Sequence, residues 1–381
     1  MKKKIGICTG NISVGGQEKM LIEFLKVLSP EKYDLELFIE ENKGEKNFFQ
    51  KDIPNYVNYR FLTSKSIMNR IEKNKSSKNP LRKLLYSIDL IRKKEIAIRK
   101  LSRLVEDKEI IIDYNLGLLR KIDRLDLENK KVVGWSHAGE GGVLKNKRKH
   151  RNMAKYNSIV SVNNEMKKGY EKNYSHLNIK MKTIENFIDE KNILKLSEES
   201  IEEKNLGQYI LSVGSLTENK NFLALIKGYK KFLDKSESTL NLVIIGDGKE
   251  KDNLERTIKR LNLEDRVFLL GSKGNPYPYI KSCEYYVQSS KAESFSLVLA
   301  EAMVFGKVVI SKENIGSKRV LNNGENGILI KSVERDLEKI LLKLIRDRGF
   351  KSMYEKKSKE GGKEFFRGPA KERIEEFIDS L

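Results

Sequence analysis

Short β-branched runs alternate with amphipathic helical stretches along almost the whole chain. Lys4 to Thr9 reads as a buried strand. The loop GNISVGG follows, then the helix QEKMLIEFLKVL, where Met20, Leu21, Phe24, Leu25 and Leu28 make one apolar stripe at helical spacing. Asp34 to Ile39, Asn58 to Leu62, Glu109 to Tyr114, Lys131 to Trp135 and Ser158 to Val162 read as further strands, with helical sequence running to about Glu106 and a helix opening at NNEMKKGY. Polar and charged residues from about Glu190 to Gly207 show little pattern and read as a linker. A second strand–helix series starts at Tyr209 to Val213. It continues through Leu240 to Ile245, Arg266 to Leu270 and Lys307 to Ile310, and its tail ends in the amphipathic stretch KERIEEFIDSL. This alternation predicts an α/β class.

The 381 residues suggest about two or three domains. There is no apolar run of about 18 residues, so no membrane-spanning helix is expected. The start, MKKKIGICTG, has too few apolar residues for a secretory segment. Cys8 and Cys283 sit in apolar contexts far apart, as reduced core residues of a cytosolic protein would. The three histidines lack ligand spacing, so no metal site is expected.

The net charge of +21 changes the picture. One region is dense in cations: Lys65, Arg70, Lys73, Lys75, Lys78, Arg82, Lys83, Arg92, Lys93, Lys94, Arg99, Lys100 and Arg103, opposed by Glu72, Asp89 and Glu95. Such a face attracts polyanions, either nucleic acid or an anionic membrane leaflet. Leu84, Leu85, Ile88 and Ile91 lie among these bases. The pattern suits either a membrane surface or a solvated helix whose stripe packs on its own domain.

The chemistry concentrates in Lys291 to Gly306, KAESFSLVLAEAMVFG. Glu293 ends a loop, a helix starts near Ser296, and Glu301 lies inside that helix. The free N–H groups of Phe295, Ser296 and Leu297 would form an anion site. Glu301 is about five residues further on, roughly 7–8 Å along the axis. Acids before and after an anion site match a nucleoside diphosphate sugar, with hydroxyls at both ends.

Glu-x7-Glu in the context E-S-F-S-L-V-L-A-E-A resembles the signature of retaining GT-B glycosyltransferases of the GT4 type. Here Ser294 stands where a Gly is usual. The resemblance implies two Rossmann-like, doubly wound parallel-sheet domains facing a cleft. They would span residues 1–187 and 188–364, with a helix at 365–381 crossing back and TIENFID at the first crossing. It implies that Glu293 contacts the donor sugar and Glu301 the ribose. Gly15, Gly16 and Glu18 resemble the family's GG-x-E loop near the donor phosphates and the acceptor. His137, just past a strand end, would contact the donor sugar. Asp113, also at a strand end, would either face the acceptor or serve as a turn residue. Lys220 and Asn221 match the pattern G-R-L-x-x-x-K-[GN], but Ser215 replaces its Arg, so one phosphate cation is missing. Gly246 would allow a close backbone approach or only a turn. Leu270 lies in the segment expected near the base. Gly316 matches a glycine near the phosphates, and Arg319 stands where relatives often have Glu.

The implied reaction moves a sugar from a nucleotide sugar, UDP-linked in the leading reading, to a hydroxyl of a glycan acceptor that is lipid-linked. It belongs to surface polysaccharide or lipopolysaccharide synthesis. His137, Glu293 and Lys220 are the expected catalytic residues. The chain contains no D-x-D tripeptide, so a metal-bridged diphosphate is not expected, and no cofactor beyond the donor is implied. The location would be cytoplasmic, peripheral on the inner face of the membrane through the 65–103 region. The alternatives are a nucleotide-sugar epimerase or a glycogen-type phosphorylase of the same fold, the latter lacking a cofactor-lysine context. A basic nucleic-acid-binding protein is a further alternative, without a helix-turn-helix, zinc or aromatic RNP signature.

Overall fold

The computed structural model describes residues 2–13, 15–137, 143, 146–203 and 205–381. Two compact units result, Met1–Glu185 with Ala370–Leu381, and Asn186–Pro369. The division falls two residues before the expected boundary at 187, and the tail joins the first unit five residues later than expected.

In the first unit the strands are β1 Lys3–Thr9, β2 Tyr33–Ile39, β3 Asn58–Phe61, β4 Ile110–Tyr114, β5 Lys131–Ser136, β6 Ser158–Ser161 and β7 Lys180–Thr183. They pair in parallel in the order β3-β2-β1-β4-β5-β6-β7. The helices are α1 Gly16–Val27, α2 Lys65–Lys75, α3 Pro80–Leu104, α4 Lys147–Asn152 and α5 Asn164–Tyr174. The alternation of the pleat divides the core in two. Cys8, Phe38, Ile111, Leu101 and Tyr156 share one apolar cluster. Tyr114 and Trp135 pack on Phe24 of α1, with centroids 5.9 and 4.7 Å away, and Phe377 from the tail stands edge-on to Trp135.

The second unit holds β8 Tyr209–Val213, β9 Asn241–Ile245, β10 Val267–Leu269, β11 Tyr285–Gln288, β12 Val308–Lys312 and β13 Ile328–Ile330, in the order β10-β9-β8-β11-β12-β13. Its helices are α6 Glu190–Leu196, α7 Phe222–Leu233, α8 Lys251–Arg260, α9 Tyr277–Ser282, α10 Leu297–Val304, α11 Ile315–Val320, α12 Val333–Arg346 and α13 Arg348–Gly362. A last helix, α14 Arg367–Asp379, carries the chain back to the first unit. In each sheet the strand order reverses once, between β1 and β4 and between β8 and β11. Loops leaving the C-terminal ends of those neighbours diverge, and the gap between them is where open parallel sheets take ligands.

Three expectations change. The linker expected over 190–207 contains α6. Asp189 caps it, accepting from Asn192 N at 3.1 Å, and Ile193 is buried. Asp189 is further pinned by Arg367 at 2.8 Å. Two capping signals and one apolar anchor are too sparse to read as a helix by periodicity. Strand β7 was not anticipated, because its sequence KMKT is that of a polar sheet edge.

The third change concerns the basic helix. The stripe on α3 does not pack on its own unit over its first half: Leu81, Leu84 and Ile91 are 70, 60 and 63% exposed. Ala97, Ile98 and Leu101 anchor its second half. Lys93 is no part of the cationic face, being turned inward to pair with Glu41 and, at 3.6 Å, with Glu40.

Candidate active site

The second unit's site forms where β8 and β11 end side by side. Lys220 follows β8 and Glu293 follows β11, and their side chains meet with Nζ 2.6 Å from Oε1. Both are about four-fifths buried, with side chains 22 and 17% exposed. Four hydrogen bonds stitch the two loops together. Ser289 Oγ donates to Lys220 O at 2.6 Å and Lys291 N to Asn219 O at 2.7 Å. The Asn219 carboxamide donates to Ala292 O and accepts from Ala292 N, at 3.0 and 3.2 Å. The Lys220 stem lies over Gly214, and Asn221 takes the left-handed conformation, φ 57°, that starts α7. Asn tolerates that region better than most residues.

Next to this pair α10 begins at Leu297, with Ser296 as its cap residue. The Ser296 side chain makes no capping bond, and its buried Oγ has no partner. The N–H groups of Phe295, Ser296 and Leu297 donate to no acceptor among the described residues. Phe295 is buried edge-on against Phe365, 5.4 Å between centroids. Gly316 N donates to Glu293 O at 2.8 Å. A Cβ at Gly316 would lie 2.9 Å from that oxygen and 3.0 Å from Phe295 N, so a glycine lets α11 seat the loop. Glu301, one turn into α10, is 3% exposed and accepts from the Tyr277 hydroxyl at 3.4 Å.

The other residues expected on the donor side follow strands of the same sheet or lie close after them. Ser215 is exposed just past β8. Gly246 follows β9 at φ 152°, and a Cβ there would run into Gly214 O, so no other residue fits. Leu270 follows β10, its N–H on Ile244 O at 3.0 Å. Arg319 is drawn away to Glu364, 2.5 Å, and stacks on Phe365.

The first unit holds a separate group of residues expected from sequence. Gly15 precedes α1 in extended backbone and Gly16 opens the helix. The Glu18 carboxylate folds back over Gly15, and burial raises its pKa. His137 is buried beside Tyr114, 4.7 Å between ring centroids, and Nε2 has no partner. Burial pushes its pKa down to about 3, so the imidazole is neutral at physiological pH. The rest of the loop SHAGEGG, 138–142, lies outside the described residues.

Asp113 does not join this group. Its pleat position turns it to the opposite face of the sheet from Tyr114 and His137. There it is 1% exposed, accepting from Leu118 N at 2.9 Å and from the Tyr156 hydroxyl at 2.5 Å. Of its two sequence readings, this geometry is that of the turn residue. Among the described residues no group of three or more His, Cys, Asp or Glu side chains is arranged to hold a metal ion. Tyr114, Asn115 and Tyr277 were missed from sequence; only their positions at strand ends or beside a helix could have signalled them.

Residues 195–363 match the family model described as glycosyl transferases group 1. A Campylobacter jejuni protein is 35% identical over 195 residues, 51% of this chain and 52% of its own length. It is named N-acetylgalactosamine-N,N'-diacetylbacillosaminyl-diphospho-undecaprenol 4-alpha-N-acetylgalactosaminyltransferase. The match thus spans about half of that relative. An uncharacterized glycosyltransferase of Haemophilus influenzae is 29% identical over 340 residues, 86% of each chain. Among solved structures, Anabaena HepE in complex with UDP and glucose superposes with a TM-score of 0.74 at 18% identity, covering 100% of both chains. A variant of S. aureus TarM with UDP bound superposes at 0.74 and 14% identity, covering 99% of each. At these identities the superpositions speak for the fold.

Burial drives the Asp113 carboxyl up to about 7, against the opposing pull of Tyr156, the Leu118 N–H and Lys121. The folded chain therefore holds this proton more tightly than the unfolded chain, whose value is about 4. The stability it contributes is complete below about pH 4 and is lost as pH rises through about 7. Relative to the parent, Asp113→Asn should gain melting temperature steadily from pH 4 to 7 in thermal melts. Parallel pH profiles would contradict the assignment.

Proposed function

We propose that this chain, which has the GT-B fold, is a group 1 glycosyl transferase and moves a hexose-type sugar from UDP to a hydroxyl of a lipid-linked glycan. The observation that carries the donor half is the Lys220–Glu293 pair set against the open N-terminus of α10. Three unbonded N–H groups, the positive end of a helix dipole and an adjacent ammonium make a site for two phosphates. The partnerless Ser296 hydroxyl adds one more donor.

In this reading the diphosphate takes Lys220 from Glu293, because two phosphates outbid one carboxylate. Glu293, relieved of its partner, accepts hydroxyls of the transferred sugar. Breaking the anomeric C–O bond leaves positive charge on the ring and negative charge on the diphosphate. Lys220 and α10 stabilise the second. Ser215, in place of a second cation, supplies only a neutral hydrogen bond. In the first unit, the role that the family resemblance gives neutral His137 is to hydrogen-bond a sugar. Glu301 would reach the ribose once Tyr277 yields it. The lack of a D-x-D tripeptide supports a metal-independent reaction. The family resemblance supports retention of configuration.

The acceptor half rests on two supports. The Campylobacter relative is named for a diphospho-undecaprenol acceptor. The first half of α3 exposes Leu81, Leu84, Leu85 and Ile91 between Arg82, Lys83, Arg92 and Lys94. Apolar side chains interleaved with cations suit the interface of an anionic leaflet. No helix among the described residues is long and apolar enough to cross a membrane. The chain would work from the cytoplasmic side, as a peripheral protein.

Lys220→Ala should lower turnover of a UDP-sugar about 100- to 1000-fold, and Glu301→Gln should weaken stabilisation by UDP in thermal melts. Turnover unchanged in Lys220→Ala would refute the donor site. Leu84→Glu with Ile91→Glu should cut co-sedimentation with phosphatidylglycerol vesicles about tenfold or more while leaving UDP stabilisation intact. Equal sedimentation would refute the membrane face.

A further inference from the structure

Four buried polar atoms without partners lie at the C-terminal ends of β4 and β5: the Tyr114 hydroxyl, the Asn115 carboxamide oxygen and His137 Nε2, with Asp113 Oδ1 turned to the opposite face. Tyr114 and His137 lie ring to ring at 4.7 Å. Asn115 N donates to Trp135 O at 2.8 Å, which fixes it at the seam between β4 and β5, two residues before His137 on the β5 side. Glu18 completes the set. Its carboxylate folds back over Gly15 at the start of α1, and after burial its charge is the second cause that raises the pKa of the Tyr114 hydroxyl.

Packing does not explain this group. Each buried polar atom left without a partner costs about 1–3 kcal/mol. The backbone adds to the cost, since Asn115 and Leu116 are both left-handed, φ 73° and 55°, and a leucine in that region is strained. Strain and unmet hydrogen bonds in one place mark a site shaped for something that fills it. The rings packed beside these atoms are aromatic: Phe24, 5.9 Å from Tyr114, and Trp135, 4.7 Å from Phe24. Aromatic walls with a few aimed polar groups suit a ring that is apolar on its face and polar at its rim.

The polar groups also say which ligand is excluded. The Asn115 oxygen and the Glu18 carboxylate accept hydrogen bonds. A phosphate brings no protons to them and is repelled by Glu18. A hydroxyl satisfies both, and can donate to or accept from the Tyr114 phenol.

We infer that Tyr114, Asn115 and Glu18 form a hydroxyl-reading subsite for a sugar ring in the first unit, and that the Tyr114 hydroxyl sets which sugar is held. The inference rests on the glycosyltransferase reading above and adds the residues that would choose the sugar. Asp113, one residue earlier, is excluded by its place on the other face.

The test uses the full chain and four probes, the methyl glycosides of glucose, galactose, N-acetylglucosamine and N-acetylgalactosamine. Saturation-transfer NMR should show binding of at least one. Tyr114→Phe and Asn115→Gly, the latter tolerating the positive φ, should each reduce that signal about tenfold. Because Tyr114→Phe removes an oxygen that bonds nothing, its melting temperature should stay level or rise, and UDP should stabilise both variants as it does the parent. The proposal is overturned if the signal survives Tyr114→Phe, if that variant melts lower, or if no glycoside binds the parent although UDP stabilises it. If UDP fails to stabilise the parent, the donor reading falls and this subsite falls with it.

Discussion

The site in the second unit depends on one ion pair, Lys220 with Glu293. The two residues are 73 positions apart, and the parallel sheet makes them neighbours by setting β8 beside β11. A pair this far removed from water gains little net stability from its attraction, because desolvation offsets most of it. What the pair does is hold two reactive side chains in a fixed place with no ligand present. The hydrogen bonds of Asn219, Ser289 and Lys291 keep the two loops in register. Under the proposed function an arriving diphosphate would exchange partners in a site already formed, with little ordering entropy left to lose.

The same physics acts at both sheets. Parallel strands send all their C-terminal loops to one edge, and a switch in strand order opens a gap there. The pleat then decides which strand-end side chain reaches the gap. Tyr114 and Asp113 are adjacent in sequence and are separated by the thickness of the sheet. One carries an unmet hydrogen bond among aromatic rings, and the other spends one carboxylate oxygen, Oδ2, on holding the turn after β4.

Much of the fold was legible because buried parallel strands are unbroken apolar runs between glycine-containing turns. Tyr209 to Val213 is such a run, and its bounds match β8. Element types survive where the apolar pattern is strong and fade where the anchor is a single residue, as in α6 with Ile193, or where an edge strand is polar, as in β7. The proposed donor site was legible as an order of motifs and not as an arrangement. Sequence named Lys220 and Glu293 for different tasks and gave no sign that they touch. It placed Glu301 on the right helix without its burial under Tyr277. On α3 the charge run read as uniform, yet Lys93 is an internal strut to Glu41 while Arg92 beside it stays in solvent. Side-chain direction depends on helix phase relative to the sheet, which a list of charges does not carry.

The most direct measurement is a crystal structure of this chain with UDP. The account predicts diphosphate oxygens within about 3 Å of the N–H groups of Phe295, Ser296 and Leu297, with the Lys220 ammonium moved from Glu293 onto a phosphate. A nucleotide bound away from α10, or one bound there with the Lys220–Glu293 contact intact, would contradict it.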